Sequence, residues 1–210
     1  MKKDNDGSFW SRYAWLYDRF IRKDEAAYEQ MYALIRAAVH GKNVLELATG
    51  TGLIARNIAS SANSVEATDA SPEMIAEAQK KNTSSRIHFS VQDIFHLPYN
   101  DGSFYIIIAA NVLHIIPEPE KAIAEMKRVL APDGILILPT FTHADMGFFA
   151  RVKASIIKSA GFPLNHAWSP STYRSFLEAN GLVITDSTVL KASFPLTYTE
   201  CRKINEQGRG

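Results

Sequence analysis

The sequence predicts a single α/β domain, a doubly wound and mostly parallel sheet with helices on both faces. Three observations predict it. From His40 onward short apolar runs alternate with amphipathic stretches. The first of those runs ends in a glycine-rich turn that opens a helix, and no linker divides the 210 residues. Strand–helix alternation at this spacing calls for parallel strands joined by crossovers. Right-handed crossovers then place helices on both sides of the sheet. A chain of this length buries a sizeable core as one domain.

The first forty residues read as a helical cap. Tyr28, Met31, Tyr32, Ile35 and Val39 recur at helical spacing between Ala26 and Val39. Ahead of them lie Phe9, Trp10, Tyr13, Trp15, Leu16, Tyr17 and Phe20, an aromatic stretch too mixed for a helix with one apolar face. Seven apolar runs follow as strands: Asn43–Leu47, Ser64–Asp69, Arg86–Val91, Phe104–Ala109, Gly134–Pro139, Leu182–Ser187 and roughly Lys191–Thr197. The first five do not alternate cleanly with polar residues, which predicts burial on both faces. Ser71-Pro72-Glu73 offers an N-cap serine, a first-turn proline and an early carboxylate, and Ser169-Pro170 repeats the device. Asn180-Gly181 closes the second of these helices. Ala131-Pro132-Asp133-Gly134 reads as a tight turn feeding the fifth strand.

Composition narrows the function. Apolar residues make up 46% and charged residues 21%, ordinary for a globular chain. A net charge of +1, with no basic–aromatic run, argues against nucleic acid as a partner. Cys201 stands alone, so neither an internal disulfide nor a cysteine-based zinc cluster can form, in keeping with a reducing cytoplasm. The start MKKDNDGSFW lacks the apolar core of a signal peptide. The apolar run at Tyr105–Ala110 is far too short to span a bilayer. The expectation is a soluble cytoplasmic protein with no membrane span and no metal.

The chemistry concentrates in Val44-Leu45-Glu46-Leu47-Ala48-Thr49-Gly50-Thr51-Gly52-Leu53, a strand, a two-glycine turn and a helix start. Glycines there allow a sharp turn and close approach of a ligand to the main chain. The helix start supplies unpaired N–H groups. Gly50 through Ala55 also fits the dinucleotide pattern G-x-G-x-x-G/A, and Asp69 ends the second strand where an acid can bind ribose hydroxyls. A nicotinamide-dependent, NAD(P)-binding oxidoreductase is therefore a rival reading. Against it, Glu46 would place a negative charge beside a diphosphate, and Asp93 adds a third acid after the third strand. Three acids at successive strand ends suit a cationic amino acid joined to a nucleoside. A Tyr-x-x-x-Lys hydride-transfer pair is also lacking in the sequence.

Further pieces follow in order: Ala67-Thr68-Asp69-Ala70-Ser71-Pro72-Glu73-Met74, Gln92-Asp93-Ile94, Leu97-Pro98-Tyr99, Asp101-Gly102-Ser103-Phe104, Asn111-Val112-Leu113-His114 and Lys127 through Gly134. With the first motif, this ordered set resembles the class I S-adenosylmethionine-dependent methyltransferases, the small ones related to the ubiquinone and menaquinone methyltransferases. It covers about Tyr13 to Pro139. The resemblance implies a Rossmann-like seven-stranded sheet whose last strand is antiparallel. It divides the domain 1–210 into a cap or lid over 1–40, a cofactor-binding core over 41–140, and a substrate-side cover with the last strands over 141–210.

It also implies roles. Gly50 and Gly52 would pass nearest the methionine part of S-adenosylmethionine, with Ala48 in the same turn, and Glu46 would orient its ammonium group. Asp69 would accept from both ribose hydroxyls, with Ala70 beside the adenine. Asp93 would take the adenine amino group and the Ile94 backbone the ring edge. Asn111 would offer its backbone near the cofactor and face the substrate. Tyr17, in Tyr13-Ala14-Trp15-Leu16-Tyr17-Asp18, would cover the methionine side as a lid; the alternative is an aromatic patch packed on the core. Two departures stand out: Ala48 replaces a frequent glycine, and Asp133 another in the late turn.

His114 and His143 follow the fourth and fifth strands and are candidate catalytic bases; His166 is a third histidine near the same edge. A base is optional, because alignment of an activated sulfonium with a nucleophile supplies much of the acceleration. Asp145 through Pro163, apolar and aromatic with Arg151, Lys153 and Lys158 interleaved, fits either a cover over the acceptor or an amphipathic helix on the sheet. The expected activity is O-, N- or C-methylation of a small, partly apolar molecule, yielding S-adenosylhomocysteine. A non-catalytic S-adenosylmethionine-binding regulator would carry the same binding motifs. Self-association as a homodimer is left open.

Overall fold

The computed structural model describes residues 24–142 and 165–204. Tyr17, His143 and the cover segment 145–163 lie outside the described residues, as do Trp10 and Tyr13. The first described helix, α1 (Glu25–Ala38), buries Ala27, Tyr28, Met31, Tyr32 and Ile35 along one face. Strands β1 (Asn43–Leu47), β2 (Ser64–Asp69) and β4 (Phe104–Ala109) occupy the expected ranges, and β3 runs Ile87–Val91. Between them lie α2 (Leu53–Ile58) and α3 (Pro72–Lys81). After β4 come α4 (Pro119–Val129), β5 (Leu130–Ile137), β6 (Thr140–Phe141), α5 (Pro170–Ala179), β7 (Leu182–Leu190) and β8 (Leu196–Lys203).

Both signalled helix starts form. Ser71 Oγ accepts from the Met74 N–H at 3.2 Å, and Ser169 and Thr172 make a reciprocal capping box at the head of α5. Gly181 takes the left-handed conformation (φ 76°) just past α5.

The sheet runs β3–β2–β1–β4–β5–β8, with β7 beyond β8. Strands β1 to β5 are mutually parallel, whereas β8 is antiparallel to β5, β6 and β7. One edge of β8 is taken by β7 along its length, so β5 and β6 pair in succession with the other edge, at Cys201–Glu200 and then Thr197–Leu196. They are two segments of one sheet position, broken at Leu138-Pro139, and the described strands fill the seven positions expected. One core packs α1, α2 and α3 on a first face and the other packs α4 and α5 on the second. The sheet is therefore doubly wound.

Three expectations need correction. β3 alternates between buried and exposed residues, with Ile87 and Phe89 inward, because it is an edge strand with only one covered face. Residues 131–134 do not form a separate turn but a bulge inside β5, where pairing jumps from Phe104–Leu130 to Ile106–Ile135. The last strand starts at Leu196, not near Lys191. β7 instead continues to Leu190, and the Asp24 carboxylate holds the Ser193 N–H at 2.8 Å and its hydroxyl at 2.9 Å, keeping the connection out of the sheet.

β1 lies between β2 and β4, whose connections leave on opposite sides. That is where an open parallel sheet forms a crevice at its carboxyl edge.

Candidate ligand site at the carboxyl edge of the sheet

A cavity of about 420 Å³ opens at this crevice, within the range of small-molecule sites. Its wall begins with Glu46, the penultimate residue of β1 and only 2% exposed. No hydrogen-bond partner reaches Glu46 Oε2 among the described residues. Burial pushes its carboxyl up to about 8, and the nearby Asp69 charge adds to the rise. Hydrogen bonding by the Ala55 backbone and the Arg56 charge offset only part of that rise, and a buried carboxyl oxygen left without a partner is costly.

The turn after β1 is built from unusual backbone. Ala48 (φ 53°), Gly50 (φ 56°) and Gly52 (φ 73°) are all left-handed. Thr49 N–H donates to the Thr68 carbonyl at 2.8 Å, tying the turn to the end of β2. Asp69 completes the tie: Oδ2 accepts from the Gly50 N–H at 2.8 Å and Oδ1 from the Ser71 N–H at 2.9 Å. Burial nevertheless holds the Asp69 carboxyl above its ordinary value. Each oxygen keeps a lone pair for a further donor.

The remaining walls come from β4, β6 and α1. Asn111, the second non-glycine left-handed residue (φ 54°), donates its N–H to the Pro139 carbonyl at 2.8 Å. Its Nδ2 lies 3.5 Å from the Tyr28 hydroxyl, and its buried Oδ1 has no partner among the described residues. His114 is 2% exposed, with Nδ1 2.9 Å from Thr140 Oγ1 and its ring edge-on to Phe141. At the rim, Asp93 Oδ1 accepts from the Phe95 N–H at 2.9 Å, and its side chain stays 57% exposed.

The cavity thus brings together Glu46, Ala48, Gly50, Asp69, Ala70, Asp93, Ile94, Asn111 and His114. Gly52 is not on the wall. It faces the other way, where an added Cβ would stand 2.8 Å from the Phe89 ring and 3.1 Å from Ala78 Cβ, so it permits close packing of α2 on β3 and α3. His166 is also off the wall, stacked on Trp168 with ring centroids 5.2 Å apart. Sequence reasoning missed Tyr28, Tyr32 and Phe141 as wall residues. For the two tyrosines the available signal was a pair of hydroxyls four apart on a face otherwise apolar. Among the described residues no group of three His, Cys, Asp or Glu could hold a metal, and no helix is long and apolar enough to cross a membrane.

Residues 45–138 match the family described as methyltransferase domain. A demethylmenaquinone methyltransferase of Renibacterium salmoninarum is 34% identical over 123 residues, 59% of this chain and 51% of that protein. The chain thus spans about half the length of that curated relative. Among solved structures, a methyltransferase in complex with the Haloferax volcanii Trm112 activator superposes with a TM-score of 0.75 at 16% identity, covering 93% of this chain and 98% of that one. DhpI, solved with S-adenosylhomocysteine, gives 0.73 at 24% identity, covering 93% and 94%. At these identities the two structures show a shared fold.

Proposed function

We propose, from the match of residues 45–138 to the methyltransferase-domain family, that the protein transfers a methyl group from S-adenosylmethionine to a small-molecule acceptor. The carrying observation is Glu46, buried at the cavity wall with Oε2 unpartnered and its carboxyl raised to about 8. An ammonium group would pair with that oxygen and draw the carboxyl into its ionised form. A diphosphate offers it no cation, which disfavours the nicotinamide reading.

The other residues fit the same ligand. Asp69, braced by two backbone amides, has free lone pairs for the two ribose hydroxyls. The turn from Ala48 to Thr51 brings bare main chain to the cavity beside the methionine part. Ala70 and Ile94 flank the adenine, and Asp93 at the rim accepts from its amino group. Bound there, the sulfonium supplies an electrophilic methyl group. The chain's own contribution is to hold the acceptor in line with it and to exclude water. Tyr28, Tyr32, Ile115, Ile116 and Phe141 also line the cavity, and their rings and aliphatic chains suit a partly apolar acceptor. The lone cysteine, Cys201, buried and with its thiol pushed up to about 12, accords with a cytoplasmic protein.

Thermal shift with S-adenosylmethionine, S-adenosylhomocysteine, NAD and NADP tests the cofactor. A ligand at a hundred times its Kd adds about 2.7 kcal/mol. Stabilisation by the first two alone is expected; stabilisation by a nicotinamide cofactor instead would overturn the proposal. Transfer of labelled methyl to any acceptor separates the enzyme from a non-catalytic binder.

A further inference from the structure

We propose that Asn165 is a positioning residue for the acceptor: it clamps the turn after β4, so that Ile115 and Ile116 stand as a fixed wall against which an apolar ring of the acceptor packs. The inference rests on the methyltransferase reading above.

Sheet order divides the cavity. Glu46, Asp69 and Asp93, the acids fitted to S-adenosylmethionine, end or follow β1, β2 and β3, whereas β4 lies on the other side of β1. The turn that leaves β4 lines the same cavity through Ile115 and Ile116, whose side chains also pack on the core of the second sheet face. Branched side chains held in one place cost an apolar ligand little ordering on binding.

The turn is helical: the Ile115 and Ile116 N–H groups donate to the Val112 carbonyl at 2.9 and 3.2 Å. A helical end leaves its last carbonyls without partners of its own, and Asn165, fifty residues beyond Ile115, meets two of them. Its N–H donates to the His114 carbonyl at 3.0 Å, and its Nδ2 to the Ile115 carbonyl at 2.6 Å. The His166 N–H adds a second bond to the His114 carbonyl at 3.0 Å. A short side chain with an N–H donor suits this place. An aspartate would set oxygen against oxygen, and an alanine would leave the carbonyl unmet. The clamp is itself anchored. Trp168 stacks on His166 and on Phe176 of α5, with centroids 5.2 and 4.8 Å apart, and the Ser169 capping box follows directly. Asn165 also lines the cavity, so the clamp sits beside the wall it holds.

The test uses the full chain saturated with S-adenosylhomocysteine, its isoleucine methyl groups 13C-labelled and Ile115 and Ile116 assigned by substitution with valine. The probe is 2-naphthol. In wild type it is expected to shift the Ile115 and Ile116 methyl signals; no binding, or shifts confined to other isoleucines, would overturn the wall. In the isosteric Asn165→Asp, 2-naphthol affinity is expected to fall about 3- to 10-fold, the scale of one hydrogen bond, while S-adenosylhomocysteine affinity holds and Tm moves little. Asn165→Ala loses the bond without the repulsion and should show the same split, so a poorly folded Asp variant does not decide the matter. Equal loss of both ligands, or 2-naphthol affinity indifferent to both substitutions, removes Asn165 from the role. Wild-type protein that binds no S-adenosylhomocysteine sinks the methyltransferase reading itself, whereas intact binding with no response at Ile115 and Ile116 sinks only the acceptor wall.

Discussion

Asp69 Oδ2 accepts the Gly50 N–H at 2.8 Å across nineteen residues of chain, so the acid at the end of β2 braces the glycine turn at the end of β1. One side chain both holds the shape of the turn and lines the cavity beside it. Charge-assisted hydrogen bonds of this kind contribute about 1.5–3 kcal/mol each.

Asp69→Asn keeps size but removes the charge and one acceptor oxygen. S-adenosylmethionine affinity is expected to fall about 10- to 100-fold by calorimetry, on the scale of one such bond, and Tm by only a few degrees. Unchanged affinity in a folded variant would remove Asp69 from the site.

Glu46 gives a pH signature. Its folded carboxyl is raised from 4.5 to about 8, so the folded state holds a proton that the unfolded chain has lost. The contribution to stability is full below pH 4.5, declines as pH rises, and is gone once pH passes 8. The loss is about 1.4 kcal/mol per pH unit inside that window. Glu46→Gln cannot ionise, so in the ligand-free protein its advantage over wild type should grow from pH 4.5 and level off above 8. Urea melts across that range read it directly. The same variant should lose S-adenosylmethionine binding. It should also abolish the proton that wild type releases near pH 7 when an ammonium forces the acid to ionise, a release seen by calorimetry in buffers of different ionisation enthalpy.

Gly52 separates packing from binding. With φ at 73° and an added Cβ 2.8 Å from the Phe89 ring, Gly52→Ala meets about 1–2 kcal/mol of left-handed strain plus a clash. A fall in Tm of roughly 5–10 °C is expected for a chain of this size. Phe89→Leu should recover the steric part, giving a non-additive double-mutant cycle. Cofactor affinity of the folded fraction should hold. A selective loss of affinity with normal Tm would return Gly52 to the cavity wall.

The sequence made β1, β2 and β4 legible to the residue, because a central strand buried on both faces has a sharp apolar edge. The acids were legible as well, since a carboxylate at the end of an apolar strand stands out from the pattern around it. The start of β8 was less legible: the tie between Asp24 and Ser193 joins positions far apart in the chain, which no local pattern contains. The tyrosines of α1 were hidden for a related reason. Periodicity marks Tyr28 and Tyr32 as inward-facing, but only the packed fold shows that part of the inside is a cavity. Likewise, two glycines in one turn look alike in sequence, yet Gly50 faces the cavity and Gly52 faces Phe89.

Ala48 and Asn111 both hold left-handed backbone at the ends of neighbouring strands, and both line the cavity. Strain of this sort concentrates where a structure must present main chain to a ligand. Asparagine tolerates that conformation better than alanine does, so the relief available lies at Ala48. Ala48→Gly should remove about 1 kcal/mol of strain, offset in part by the greater freedom glycine gives the unfolded chain. The net change in stability should be small and non-negative, with S-adenosylmethionine affinity intact. Ala48→Val, β-branched where φ is positive, should lower both Tm and affinity, because the turn can accept it only by giving up the Thr49 and Gly50 hydrogen bonds to β2. A Val variant as stable as wild type would mean that the turn relaxes freely, and the bracing by Asp69 would then count for little.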